Sequence, residues 1–140
     1  SISGMVVKLP AKNFALYTLL LKLRMTKYKS DNNEPGYILA EKIIEKDILF
    51  EYLEIYESMY KQGNIYVENE RAKISNDKNR RMFFTLKWLQ ETRSKINAML
   101  KKNLTPQVFS ICLIQSSGNR NNTYYGIPIH SQNITITNQG

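Results

Sequence analysis

The chain has 140 residues, 42% of them hydrophobic and 11% aromatic, which is enough to fill one domain core and too little chain for two ordinary domains. Its net charge of +8 favours an anionic partner, and no apolar run reaches the roughly 18 residues that a membrane-spanning helix needs. One cysteine (Cys112), one histidine (His130) and scattered glycines exclude an internal disulfide, a zinc-ligand spacing and a glycine-rich phosphate loop.

The charge is segregated along the chain. Residues 1–40 hold six basic and two acidic groups, residues 41–76 five and eight, and residues 77–140 nine and two. A basic C-terminal half is the electrostatic footprint of a phosphate-contacting surface, because Lys and Arg gain free energy by releasing condensed counterions. With no basic-then-apolar leader and a lone cysteine, the expected location is the cytoplasm. A start at Ser1 that runs straight into strand-like sequence reads as a fragment of a larger protein, with 1–140 forming one domain.

Ser3 to Leu9 is β-branched in its middle and bounded by Gly4 and Pro10, which predicts a strand. From Ala11, the apolar residues Phe14, Leu16, Tyr17, Leu20, Leu21 and Leu23 follow helical spacing and predict a helix over 11–25. Lys27 to Gly36 is polar and reads as a loop. Ile38 to Lys61 then alternates apolar residues with Glu41, Glu45, Glu51, Glu54 and Glu57, the pattern of one long acidic amphipathic helix or two. After a Gly63 cap, Asn64 to Asn79 reads as a polar connector holding a short strand at Ile65, Tyr66 and Val67.

A further helix is expected from Arg80 to Leu104. Projection at about 100° per residue puts Met82, Leu86, Leu89, Ile96 and Leu100 on one face and Arg80, Lys87, Ser94, Lys95, Lys101 and Lys102 opposite. Phe84 and Trp88 fall to the side, which predicts a bend or a second packing contact. Arg93 falls among the core positions, so it should have a structural role, paired with a carboxylate of the acidic helix or a backbone carbonyl. Val108 to Ile114 and Tyr124 to Ile129 read as the strands of a hairpin with a polar tip, Ser116 to Asn122, whose one cation is Arg120. Cys112 is expected inside that hairpin, and Ile134 to Ile136 could add a last strand.

The stretch Val7-Lys8-Leu9-Pro10-Ala11-Lys12-Asn13-Phe14-Ala15-Leu16-Tyr17-Thr18-Leu19-Leu20 resembles the opening of the winged-helix effector domains of bacterial response regulators. Arg93 to Asn97 with Leu100, followed by Gly118 and Tyr125-Gly126-Ile127, look like the matching recognition helix and wing. Together these stretches cover about half of the chain, and they are also similar to the winged-helix domain associated with CRISPR-associated ring-nuclease proteins, where it follows a sensor domain for cyclic oligoadenylate. The resemblance implies an α+β fold: a winged helix-turn-helix with an N-terminal strand, three or four helices including the long acidic middle one, and a C-terminal β-hairpin wing. It implies DNA or RNA binding in a CRISPR-associated, antiviral-defence setting. No nuclease activity carries over, because the sensor domain has no counterpart in these residues.

The nucleic-acid-binding residues expected on this reading are Arg80, Lys87, Ser94, Lys95, Lys101, Lys102 and Arg120. No enzyme activity, cofactor, metal or membrane contact is expected, since the paired carboxylates Glu41 and Glu45 should face solvent. The alternative is a self-association module, a homodimer in which the tyrosines of the acidic helix (Tyr52, Tyr56, Tyr60) form an interface and the basic helix of one copy meets the acidic helix of another.

Overall fold

A computed structural model describes residues 7–28, 34–119 and 121–130. The architecture is α+β and mostly helical, with seven helices and one three-stranded antiparallel sheet among the described residues. The expected strand at Ser3 to Leu9 is not found where it can be seen. Residues 1–6 lie outside the described residues, and Val7, Lys8 and Leu9 carry no strand.

Helix α1 (Ala11–Met25) is where its spacing placed it, and it buries Ala15, Leu16, Tyr17, Thr18, Leu19, Leu20 and Leu23. Six consecutive buried positions cover most of a helix circumference, so α1 is packed on several sides rather than along one stripe. Its C-terminal end is tied to distant chain by Arg24, whose guanidinium donates to the carbonyls of Pro35 (2.7 Å), Pro128 (3.1 Å) and Ile129 (2.8 Å).

Of the one or two acidic helices expected from Ile38 to Lys61, two are found, preceded by a short strand. Ile38 and Leu39 form strand β1 (Ile38–Leu39), followed by α2 (Ala40–Ile43) and α3 (Lys46–Glu57). Helix α3 buries Ile48, Leu49, Tyr52, Leu53, Ile55 and Tyr56 and exposes Asp47, Glu51, Glu54 and Glu57. The polar connector with its strand at 65–67 is also corrected, because α4 (Ile65–Ser75) and α5 (Asp77–Phe83) occupy it. The asparagines that resemble loop residues are caps: Asn64 Oδ1 accepts from the Tyr66 N–H at 2.8 Å, and Asn76 Oδ1 from the Asn79 N–H at 2.9 Å. Ile65 and Tyr66 gave the strand signal, yet both are exposed, while Val67, Glu70 and Ile74 turn inward at helical spacing.

The third helical stretch does bend. Helix α5 stops at Phe84, Thr85 caps the next helix by accepting from the Trp88 N–H at 3.0 Å, and α6 (Leu86–Asn103) follows. Leu89, Ile96 and Leu100 are buried as projected, whereas Met82, which lies across the break at 84–85 on α5, and Leu86, the first residue of α6, are exposed. Phe84 and Trp88 meet Tyr52 of α3 edge-on, with ring centroids 6.3 Å away in each case.

Val108 to Ile114, expected as a strand, is mostly helix α7 (Pro106–Cys112). Thr105 followed by Pro106 is an N-cap and first-turn pair, and it outweighs the β-branched composition. Cys112 is buried and unpaired, but it sits at the end of this helix rather than inside a hairpin, and its carbonyl accepts from the Tyr17 hydroxyl at 2.7 Å.

The first strand of the hairpin is made by the stretch expected as its tip, and the second overlaps the strand expected at Tyr124 to Ile129. Strand β2 (Gln115–Asn119) pairs with β3 (Asn122–Gly126) in a register running from Gln115 opposite Gly126 to Asn119 opposite Asn122. Gly118 has φ +90°, and a Cβ there would collide with the Asn122 carbonyl, so the pairing needs glycine. Strand β1 joins on the other side of β3, with Ile38 opposite Tyr125 and Leu39 opposite Tyr124, giving the order β1-β3-β2. That order is compatible with a winged helix. The strand expected at Ile134 to Ile136 lies outside the described residues. No helix of the described residues is long and apolar enough to cross a membrane.

Candidate nucleic-acid interface

Burying Leu89, Ile96 and Leu100 fixes the rotation of α6. Lys87, Glu91, Ser94, Lys95, Ala98, Lys101 and Lys102 then face outward, and all are exposed. At about 1.5 Å per residue the cations span roughly 22 Å of helix. Lys87 is 4.0 Å from Glu91, a surface pair that solvent screens to little energy. Lys95, Lys101 and Lys102 form no ion pair with any described residue. A one-sided row of exposed ammonium groups is able to neutralise a row of phosphates.

Of the other expected residues, one does not join this row and one lies outside the described residues. Arg80 lies on α5, and its guanidinium is largely covered, donating to the Ile74 carbonyl at 2.9 Å and pairing with Asp77 at 2.9 Å. Its hydrogen bond and charge hold the Asp77 carboxyl below the usual range. The freely exposed basic residues of that helix are Lys78 and Arg81, which the projection from Arg80 did not pick out. Arg120 lies outside the described residues.

Of the two partners expected for Arg93, the one found is a backbone carbonyl rather than a carboxylate. The Arg93 Nε donates to the Ile114 carbonyl at 2.8 Å, and the guanidinium lies over the Tyr125 ring at 5.1 Å. Asn97, one turn along, was not anticipated. Its Oδ1 accepts the Ile114 N–H at 2.8 Å and its Nδ2 donates to the Ile114 carbonyl at 3.0 Å. Ile114 immediately precedes β2, so the inner side of α6 grips the base of the hairpin. The signal in the sequence was Asn97 following Arg93 by four residues, on the same helix face.

Glu41 and Glu45 are exposed, and Glu45 pairs with Lys42 at 3.2 Å. The carboxylate that sequence reasoning missed is Glu70, buried on α4. It accepts from the Tyr52 hydroxyl at 2.7 Å and pairs with Lys12 at 3.3 Å and Lys73 at 3.7 Å, which satisfies it and links α1, α3 and α4. Burial, with the Glu70 charge in second place, pushes the Tyr52 phenol well above its ordinary range. Tyr52 and Tyr56 are buried, and the ring series continues to Tyr60 at 5.0 Å from Tyr56. The tyrosines expected to form a surface interface are thus largely core. No group of three or more His, Cys, Asp or Glu placed to hold a metal occurs among the described residues.

No protein-family model matches this chain, and no curated protein and no solved structure matches it.

Proposed function

We propose that the chain is a non-catalytic nucleic-acid-binding domain of winged-helix architecture, with the outward face of α6 lying against phosphates. The observation that carries this reading is the exposed row Lys87, Lys95, Lys101 and Lys102, backed by a helix face fully committed to the core. The hairpin anchored beside it through Arg93 and Asn97 supports the same reading, because a wing held at a fixed angle to a basic helix makes a two-element grip. Ser94 sits between the cations and is suited to a hydroxyl–phosphate contact.

The test is a fluorescence-anisotropy titration of labelled nucleic acid over about 50 to 200 mM salt. Affinity should fall linearly on logarithmic axes, and each Lys→Ala change on the α6 face should flatten the slope by about 0.9. A variant with all four lysines changed to Ala that keeps both affinity and slope, with its helix content intact, overturns the proposal.

A further inference from the structure

We infer that the partner is duplex DNA bound without regard to sequence; this rests on the nucleic-acid reading above and narrows it. Base edges are read mainly by two-point donors and acceptors, above all Arg on guanine and Asn or Gln on adenine. Helix α6 withdraws most of these groups from its outer face. Its one arginine, Arg93, and its one mid-helix asparagine, Asn97, are turned inward and bonded to Ile114. Asn103 donates back to the Met99 carbonyl of its own helix at 2.7 Å. What remains outward is lysine, which binds a phosphate as a point charge, together with Ser94, Ala98 and Glu91. Of the Arg, Asn and Gln side chains of α6, Gln90 is the exposed one that no hydrogen bond to another described residue engages.

Single strands are held differently, by aromatic rings on which bases stack. The outward face of α6 has no ring, and its one aromatic residue, Trp88, is engaged with Tyr52 and Phe84. The spacing of the cations fits a regular double helix. At about 1.5 Å per residue, Lys87 and Lys95 are about 12 Å apart along the axis, and Lys95 and Lys102 about 10 Å. The major groove of B-form DNA is about 12 Å wide, a span comparable to one such interval.

The experiment compares two labelled duplexes of unrelated sequence, one A·T-rich and one G·C-rich, with their separated strands at about 0.1 M salt. The expected result is duplex affinities less than about tenfold apart, single strands at least about tenfold weaker, and no change in either ratio for Gln90→Ala. A preference of about tenfold or more between the duplexes, or single strands bound as tightly as duplex, overturns this inference while the nucleic-acid reading stands. No binding of any strand or duplex, even at low salt, overturns both.

Discussion

The side-chain amide of Asn97 holds both polar groups of the Ile114 main chain, accepting its N–H at 2.8 Å and donating to its carbonyl at 3.0 Å. The carbonyl has a second donor in Arg93, but among the described residues the N–H has only Asn97. Asn97→Ala should therefore leave a part-buried N–H unpaired and cost about 2 kcal/mol, whereas Asn97→Asp retains that acceptor and should cost less. Urea denaturation of the two variants checks the order. Midpoints for both variants equal to that of the unsubstituted protein would show that the clamp contributes nothing to stability.

Glu70 and Tyr52 should be energetically coupled. Glu70→Ala strands a buried phenol and removes the partner of Lys12 and Lys73, for an expected loss of about 3 kcal/mol, while Glu70→Gln keeps an acceptor for Tyr52 and should lose less. A double-mutant cycle with Tyr52→Phe should return at least about 0.5 kcal/mol of interaction. Strict additivity would refute the coupling.

Alkaline pH should destabilise the fold. Burial pushes the Cys112 thiol up from 9.0 to about 11, and burial also raises the Tyr17, Tyr52 and Tyr56 phenols. Because the folded state holds these protons more tightly, their contribution is complete below the unfolded-state values and is lost as pH rises; for Cys112 that window is 9.0 to about 11. Unfolding free energy measured across this window should fall, and more shallowly for Cys112→Ala. Flat stability through it would contradict the burial of these groups.

Gly118 and Gly63 both have positive φ, +90° and +81°, but a Cβ on Gly63 meets nothing, whereas one on Gly118 strikes the Asn122 carbonyl. Gly63→Ala should carry only the backbone strain, about 1 kcal/mol, and Gly118→Ala distinctly more, because the hairpin must open to admit it. Thermal melts of the pair, with the β3 amide resonances as a local probe, test this. Loss of the hairpin signals in Gly118→Ala alone is the expected outcome.

Arg80 and Lys95 should separate stability from binding. Arg80→Ala removes the bonds to Ile74 and Asp77 and should lower the melting temperature with little change in salt slope, while Lys95→Ala should flatten the slope and leave the melt unchanged. An Arg80→Ala variant that loses slope but not stability would return Arg80 to the phosphate-contacting set.

Helices α1 and α6 were legible in the sequence because each has enough turns for its apolar spacing to be unambiguous. The outward lysines and the need of Arg93 for an internal partner followed from that same rotation. The elements between and after them were not legible. Strand β1 is two residues long, too short to show any alternation, and its extended state depends on Tyr124 and Tyr125, more than eighty positions away, supplying the backbone partners. Strand β2 is polar and exposed, so burial gave it no pattern; pairing with β3 and the Ile114 anchor make it a strand. Helix α4 buries a glutamate at one of its three inward positions, which erased its apolar period, and that glutamate is tolerable there only because Tyr52, Lys12 and Lys73 converge on it from elsewhere in the chain. Local spacing thus sets an element when its own residues supply the burial, and long-range partners set it when the hydrogen bonds or counter-charges must come from distant chain.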